Sequence, residues 1–410
     1  MLIKQISLLS VLVVAFLCAS TKPKHTSNQR KGRPIGVLVS PKELLQIKEK
    51  ANKGIEPYHT NRNEFLSFID ELNKASEQWE PLPNEVKVVG RSSSNPIQLS
   101  STGGKLVYGL AIAWHLTGNE SYAQKAKDLI LDLSSTYNYQ NAEEPKFDWG
   151  AQGILNLARG GTPYIYAADL LEGWDQWTAK DKLTYQIWLR DVMYSKVAWA
   201  SRYRKNNWGV AGSFSAALIA YYLMDHPDWK LEEISPKPQS LSPKEAFAAH
   251  NAMQIGRQKT TDDWKLDAKV NIWGILPNGA IPEEIRRGDD PIDGDYLPTD
   301  GSGTHYTMTY IEHLTAHAEF LRRLGDHAIY DNIEKDGSGS LLQAYHFVID
   351  NPKGAHCFTP NRINALYMAY NYYKDPAMLR SLKDCGPGNI SGQRLALFGR
   401  LTHPLILNPK

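Results

Sequence analysis

Apolar residues recur along this chain at the i, i+3, i+4 and i+7 spacing of helices, and the strict alternation of half-buried strands is scarce. The pattern is clearest between Gly104 and Ser134. Leu106–Leu116 is apolar on most faces, Thr117-Gly118-Asn119-Glu120 forms a turn, and Tyr122, Ala126, Leu129, Ile130 and Leu133 then mark a single stripe. That is a buried helix joined to an amphipathic one. Ser40-Pro41-Lys42-Glu43 sets a capping serine, a proline at the first helical position and a glutamate three residues after the cap just ahead of Leu44 and Leu45, which predicts a helix start. Further helices are predicted over Ala151–Leu171, Asp181–Tyr203, Val210–Met224, Pro243–Asp263, Tyr306–Leu324, Ser340–Ile349 and Arg362–Tyr373. Many helix pairs in one long chain favour an all-α fold: an α/α toroid or incomplete barrel of about six to seven helical hairpins, with inner helices around a cleft and outer helices covering them. A helical-repeat solenoid would show a fixed-period motif, and none is found. Gly274–Thr304, rich in Gly, Pro and Asp, has little helical pattern and is expected as a loop over the cleft.

The first residues depart from this pattern. Lys4 precedes an apolar run from Leu8 to Leu17 and small residues at Ala19 and Ser20, which is the layout of an export signal. Residues 1–19 therefore read as a signal peptide, 20–35 as a polar, flexible tether, and 36–410 as one toroid domain. No later stretch reaches the roughly 20 apolar residues of a membrane span. Export places the protein in the periplasm or on the outer-membrane surface of a Gram-negative bacterium. Cys18 stands where a lipoprotein carries its lipid, but Leu17 departs from the small residue expected before it, so a lipid anchor stays open. In an exported chain Cys357 and Cys385 are either a disulfide or two core thiols. A hydrophobic content of 42% over 410 residues suffices for a large core. The net charge of +2 carries no global nucleic-acid signature, so attraction to an anionic partner must be local.

Local donors are concentrated in three places. Arg202-Tyr203-Arg204-Lys205-Asn206-Asn207-Trp208-Gly209 sets three cations beside two amides and two aromatics, ahead of a helix of small and apolar residues. It reads as a carboxylate-binding edge of an anionic-sugar cleft, or as a solvated basic turn with an asparagine cap. Ile281-Pro282-Glu283-Glu284-Ile285-Arg286-Arg287-Gly288 is followed by Gly303-Thr304-His305-Tyr306 at another helix start. Arg287 can grip a carboxylate bidentately or pair with Glu283 or Glu284. Gln152, Asn156 and Arg159 form a polar stripe on an otherwise apolar helix, which suits either a cleft lining or hydrogen bonds between helices. His313 and His317 have the spacing of helical metal ligands, but no glutamate lies between them as in H-E-x-x-H, and core hydrogen bonding is expected instead. No cofactor or metal is expected.

Taken in order, these segments resemble the alginate-lyase superfamily with α/α-toroid folds, in particular polysaccharide lyase family 38 and its relative family 5. Val37–Gly54 is similar to the family's opening helix, Tyr108–Leu133 to its hairpin, and Asn206–Gly209 and Ile281–Tyr306 to its active-site regions. Family 5 pairs Asn-Asn-His with Arg-Gly and a later His-Tyr. Asn206-Asn207, Arg287-Gly288 and His305-Tyr306 match, and Trp208 stands where that family has its histidine.

The resemblance implies β-elimination on an acidic uronate glycan, an alginate with mannuronate preferred, without a metal. A base removes the C5 proton beside a carboxylate that must accept more charge, and donors that neutralise the carboxylate lower that barrier most. Tyr306 is implied as base and acid, Asn207 and Arg287 as neutralising donors, and Arg287 and His305 as cations that lower the tyrosine pKa. Gln152, Asn156, Arg159, Tyr203, Arg204, Lys205, Asn206, Trp208 and Tyr296 are candidate substrate-binding residues. Syn elimination from mannuronate or glucuronate lets one group serve both H5 and O4. Alternatives are a glucuronan lyase, an α/α-toroid glycoside hydrolase using two of Glu283, Glu284, Asp289, Asp290 and Asp300, and a non-catalytic glycan-binding lipoprotein.

Overall fold

The computed structural model describes residues 36–82, 96–136, 151–233, 238–259, 274–285, 301–332, 339–350 and 357–406, with the side chains of 151, 152, 301 and 302 excepted. The helices follow one another as hairpins: α1 (Pro41–Asn52) with α2 (Tyr58–Ser76), and α3 (Ser101–Thr117) with α4 (Glu120–Thr136). Next comes α5 (Ala151–Leu170), paired with the continuous run of α6 (Ala179–Trp188), a π-helical stretch Leu189–Tyr194 and α7 (Ser195–Tyr203). The remaining pairs are α8 (Asn207–Tyr222) with α9 (Pro243–Gly256), α11 (Gly301–Arg323) with α12 (Leu341–Ile349), and α13 (Ile363–Tyr373) with α14 (Pro376–Asp384). Short helices α10 (Pro282–Ile285) and α15 (Gly399–Thr402) and a two-stranded antiparallel ribbon, Leu231–Glu233 with Gln239–Leu241, complete the described elements.

The predicted capping box opens α1, with Ser40 Oγ accepting from Glu43 N–H and the Glu43 carboxylate accepting from Ser40 N–H. The predicted hairpin is α3–α4, and α4 buries only the stripe Ala123, Ala126, Ile130 and Leu133. By contrast, α8 is buried on almost every face. A helix with no polar face belongs inside, and α8 packs against α5, α7, α9 and α11.

Side-chain register shows that the inner helices run in one direction. Between α3 and α5, Gly104 lies against Pro163, Tyr108 against Tyr166, and His115 bonds to the Leu170 carbonyl. Between α8 and α11 the pairs are Asn207 with His313, Phe214 with His317, and Tyr221 with Phe320. Both series ascend together, so the N-termini of adjacent inner helices point to the same end of the ring. Helix N-termini carry partial positive charge and unpaired N–H groups, which gives that end a bias towards anions. Among the described residues no helix is long and apolar enough to cross a membrane.

One expectation is corrected and one open question is closed. The part of Gly274–Thr304 that is described is not a surface loop: Gly274–Ile285 is mostly buried and includes α10, and α11 already begins at Gly301. Apolar Ile281, Pro282 and Ile285 carry this segment inward. The open cysteine question is resolved, since Cys357 and Cys385 form a disulfide with a Cα–Cα distance of 5.5 Å.

Candidate active site

The site grows from the turn between α7 and α8. Asn206 is the N-cap of α8, and its Oδ1 accepts from Trp208 N–H at 3.0 Å. The turn is tight enough to require glycine two residues later: a Cβ on Gly209 would sit 1.7 Å from the Arg204 carbonyl oxygen. Buried Arg257 holds the same turn from behind, donating to Arg204 O at 3.2 Å and to Ser213 Oγ at 2.5 Å.

Asn207 is the first residue of α8, and every polar group it carries is engaged. Its Nδ2 donates to Glu284 Oε2 at 2.7 Å, and its backbone N–H donates to Glu284 Oε1. Arg159 donates to its Oδ1 at 2.5 Å, and His313 Nδ1 lies 3.1 Å from its carbonyl. Helices α5, α8, α10 and α11 thus meet at one asparagine. Asn207 is only 1% exposed and forms the floor of the site, while Arg159, Trp208, His305 and Tyr306 are half-buried and form its accessible edge. Arg159 lies where α5 is loosened, because Pro163 has no N–H to return to its carbonyl.

His305 and Tyr306 lie on the first turns of α11, their rings edge to face with centroids 5.3 Å apart. Tyr306 and His313 are seven residues apart, hence on one face of α11 and separated by roughly 10 Å along its axis. His313 touches Asn207, so Tyr306 stands about two helical turns beyond the level of Asn207, past the N-terminus of α8.

Behind His305, Arg362 at the N-cap of α13 lies 3.1 Å from His305 Nε2 through one guanidinium nitrogen and 3.8 Å from Glu312 Oε2 through Nε. Burial raises Glu312 from 4.5 to about 7, against the opposing pull of Arg362, the Arg394 N–H and Lys105. Burial lowers His305, and Arg362 lowers it further. Burial brings His313 down to about 3. These histidines are neutral imidazoles.

The sequence candidates separate accordingly. Arg159 and Asn207 come together with Glu284, and His305 and Tyr306 share the start of α11. Asn156 is half-buried one turn before Arg159; α5 includes Gln152, whose side chain is outside the described set. Arg204 lies between the Trp199 and Trp208 rings, at 5.6 and 5.1 Å, Tyr203 stacks on Trp199, and Lys205 is half-buried beside them. The Asn206 carboxamide is taken up by its cap and by Glu283 Oε1, 3.3 Å away. Arg287 and Tyr296 lie outside the described residues.

Two readings change, for His305 and for Glu283 and Glu284, and the core hydrogen bonding expected of His313 and His317 is found. His305 was expected as a cation beside Tyr306, but a guanidinium can only donate, so a ring nitrogen that meets Arg362 must accept and the ring is uncharged. Glu283 and Glu284, candidates for hydrolase acids, are buried partners of Asn206 and Asn207. His313 and His317 take separate partners, Asn207 and Asn251, and among the described residues no group of three or more His, Cys, Asp or Glu is placed to hold a metal. Arg362 and Glu312 were not singled out as site residues, and Glu284 and His313 were read only as a candidate hydrolase acid and a candidate metal ligand; Glu312 and His313 do carry a local signal, as adjacent ionisable residues between Ile311 and Leu314.

Comparison with known proteins places the fold. A family model for alginate lyases matches residues 56–231. An alginate lyase from Bacteroides ovatus shares the fold at a TM-score of 0.59 and 16% identity, over 90% of this chain and 99% of that one. Alginate lyase A1-III from Sphingomonas species A1 does so at 0.60 and 14%, over 90% and 97%. A tyrosine-to-phenylalanine variant of A1-III complexed with a tetrasaccharide gives 0.59 and 14%. Among curated proteins none matches in sequence. The fold is the α/α toroid of these lyases. The chain is thus similar to alginate lyases in the sequence of residues 56–231 and in fold over most of its length.

Proposed function

We propose that the protein cleaves an acidic uronate glycan, an alginate with mannuronate preferred, by syn β-elimination, with Tyr306 as both base and acid. The observation that carries this reading is the placement of Tyr306 about two helical turns beyond the N-terminus of α8, on the face of α11 that meets Asn207. A uronate bound between these two levels would set its carboxylate towards Arg159, the second Nδ2 hydrogen of Asn207 and the positive end of α8. These donors lower the cost of the charge that develops when H5 leaves. The phenolic oxygen of Tyr306, as phenolate, takes H5 and returns the proton to O4 on the same face. Trp208 packs on Arg204 at the position of the family-5 histidine, which is why the reading rests on tyrosine.

Part of this reading extends the sequence expectations directly. Arg287 is proposed as a further carboxylate donor, an export signal precedes the toroid, and the protein works outside the cytoplasm. The burial of Glu283 and Glu284 disfavours the hydrolase alternative.

Incubation with polymannuronate, polyguluronate and glucuronan, followed in the near ultraviolet, tests the reading. An elimination product absorbs through its C4–C5 double bond conjugated to the carboxylate. We expect absorbance to rise fastest on polymannuronate. Reducing ends without absorbance would mean hydrolysis, and binding without either would mean a non-catalytic glycan receptor.

A further inference from the structure

We propose that Arg362 is a positioning residue for this reaction: by donating to His305 Nε2 it holds the ring as the neutral Nδ1–H tautomer, so that His305 offers an uncharged donor to the uronate carboxylate beside Tyr306.

The argument starts from what each group can do. Arginine has donors only, and stays charged even when buried. The guanidinium nitrogen 3.1 Å from His305 Nε2 therefore donates, the Nε2 lone pair accepts, and the ring proton sits on Nδ1. Nδ1 has no hydrogen-bond partner among the described residues, and the residue is half-buried at the mouth of α11. Arg362 itself is fixed. It is 2% exposed, caps α13, donates to Thr359 Oγ1 at 3.3 Å and faces Glu312 at 3.8 Å. Among the described residues, the charged and titratable groups facing the ring are Arg362 from α13 and, on its own helix, Tyr306 and, behind Arg362, Glu312. Burial and the Arg362 charge both disfavour the imidazolium. A uronate that reaches Tyr306 with C5 and O4 brings its C5 carboxylate within one bond of the reacting carbon. An Nδ1–H next to that tyrosine meets an acceptor there.

This inference rests on the lyase reading for its substrate, but the tautomer can be measured without any substrate. The test is imidazole nitrogen NMR on protein labelled with nitrogen-15 at histidine, with the His305 signal assigned from a His305→Gln variant among the 12 histidines. It is combined with kcat and KM for the wild type, Arg362→Met and Arg362→Lys. The wild type should show His305 as the Nδ1–H form, protonating only below the ordinary imidazole range. In Arg362→Met the ring should titrate closer to the ordinary value of about 6.5, and the acid limb of the pH–rate profile should gain that ionisation. The variant kcat should fall about 10- to 100-fold, the loss of one charge-assisted hydrogen bond. Arg362→Lys, which keeps charge and donor and guards against failure of the methionine variant to fold, should recover part of both. A wild-type His305 found as Nε2–H, or titrating identically with and without Arg362, overturns the proposal. So does an Arg362→Met enzyme whose kcat is unchanged. A wild type with the expected tautomer but no elimination product on any uronate would overturn the lyase reading and with it the substrate role of His305, leaving the ring geometry intact.

Discussion

Asn207 and Glu284 are joined twice, through the backbone N–H and the side-chain Nδ2 of the asparagine, both donating to one buried carboxylate. This pairing, with Arg159 on the amide oxygen, fixes which end of the carboxamide faces which way. Glu284→Gln leaves only one acceptor oxygen for two donors and places an NH2 group against an N–H or NH2. We expect a stability loss of about 1–3 kcal/mol, the cost of an unsatisfied buried donor, read as a lower Tm. We also expect kcat to fall more than KM changes, because the misdirected amide serves the transition state. Unaltered kcat in a folded variant would show that the orientation of Asn207 does not matter.

Glu312 gives a pH-dependent expectation. Its carboxyl titrates at about 7 in the folded chain against an ordinary 4.5. Between those values the folded state binds more protons than the unfolded one. The contribution of this group to stability is therefore fully present below about pH 4.5 and is lost as pH rises through 7. Glu312→Gln keeps the acceptor for the Arg394 N–H and removes the titration. The difference in Tm between variant and wild type should become more favourable to the variant from pH 5 to pH 8. A difference that stays flat across that range would contradict a raised Glu312.

The Cys357–Cys385 bridge closes a loop of 28 residues that spans α13 and α14. Loop-closure entropy assigns such a bridge about 3–4 kcal/mol. Replacing both cysteines with serine should lower stability by roughly 2–4 kcal/mol in chemical denaturation.

The helices and the site were legible to different degrees, for a physical reason. Periodicity and caps act within a few residues, so α1, the α3–α4 hairpin and the start of α8 could be read locally. The residues that set the chemistry around Asn207 and His305 are distant in sequence: Glu284 is 77 residues from Asn207, His313 is 106, and Arg362 is 57 from His305. No local spacing encodes such contacts. The glutamates of α10 therefore looked like acids free for catalysis or for pairing with Arg287, and His305 looked like a cation. The short apolar turn Ile281–Ile285 was read as loop because its burial comes from the packing of α10 on α11 rather than from its own pattern.

The central claim is that Tyr306 moves the proton in an elimination. The most direct test compares wild type and Tyr306→Phe on polymannuronate, following near-ultraviolet absorbance, with Tm measured for both. The substitution removes one oxygen and leaves the ring, so the fold should hold. The account predicts that product formation falls by at least about 10²-fold, the scale of a lost general acid–base group, while Tm changes little. A folded Tyr306→Phe protein that forms the unsaturated product at the wild-type rate would contradict it.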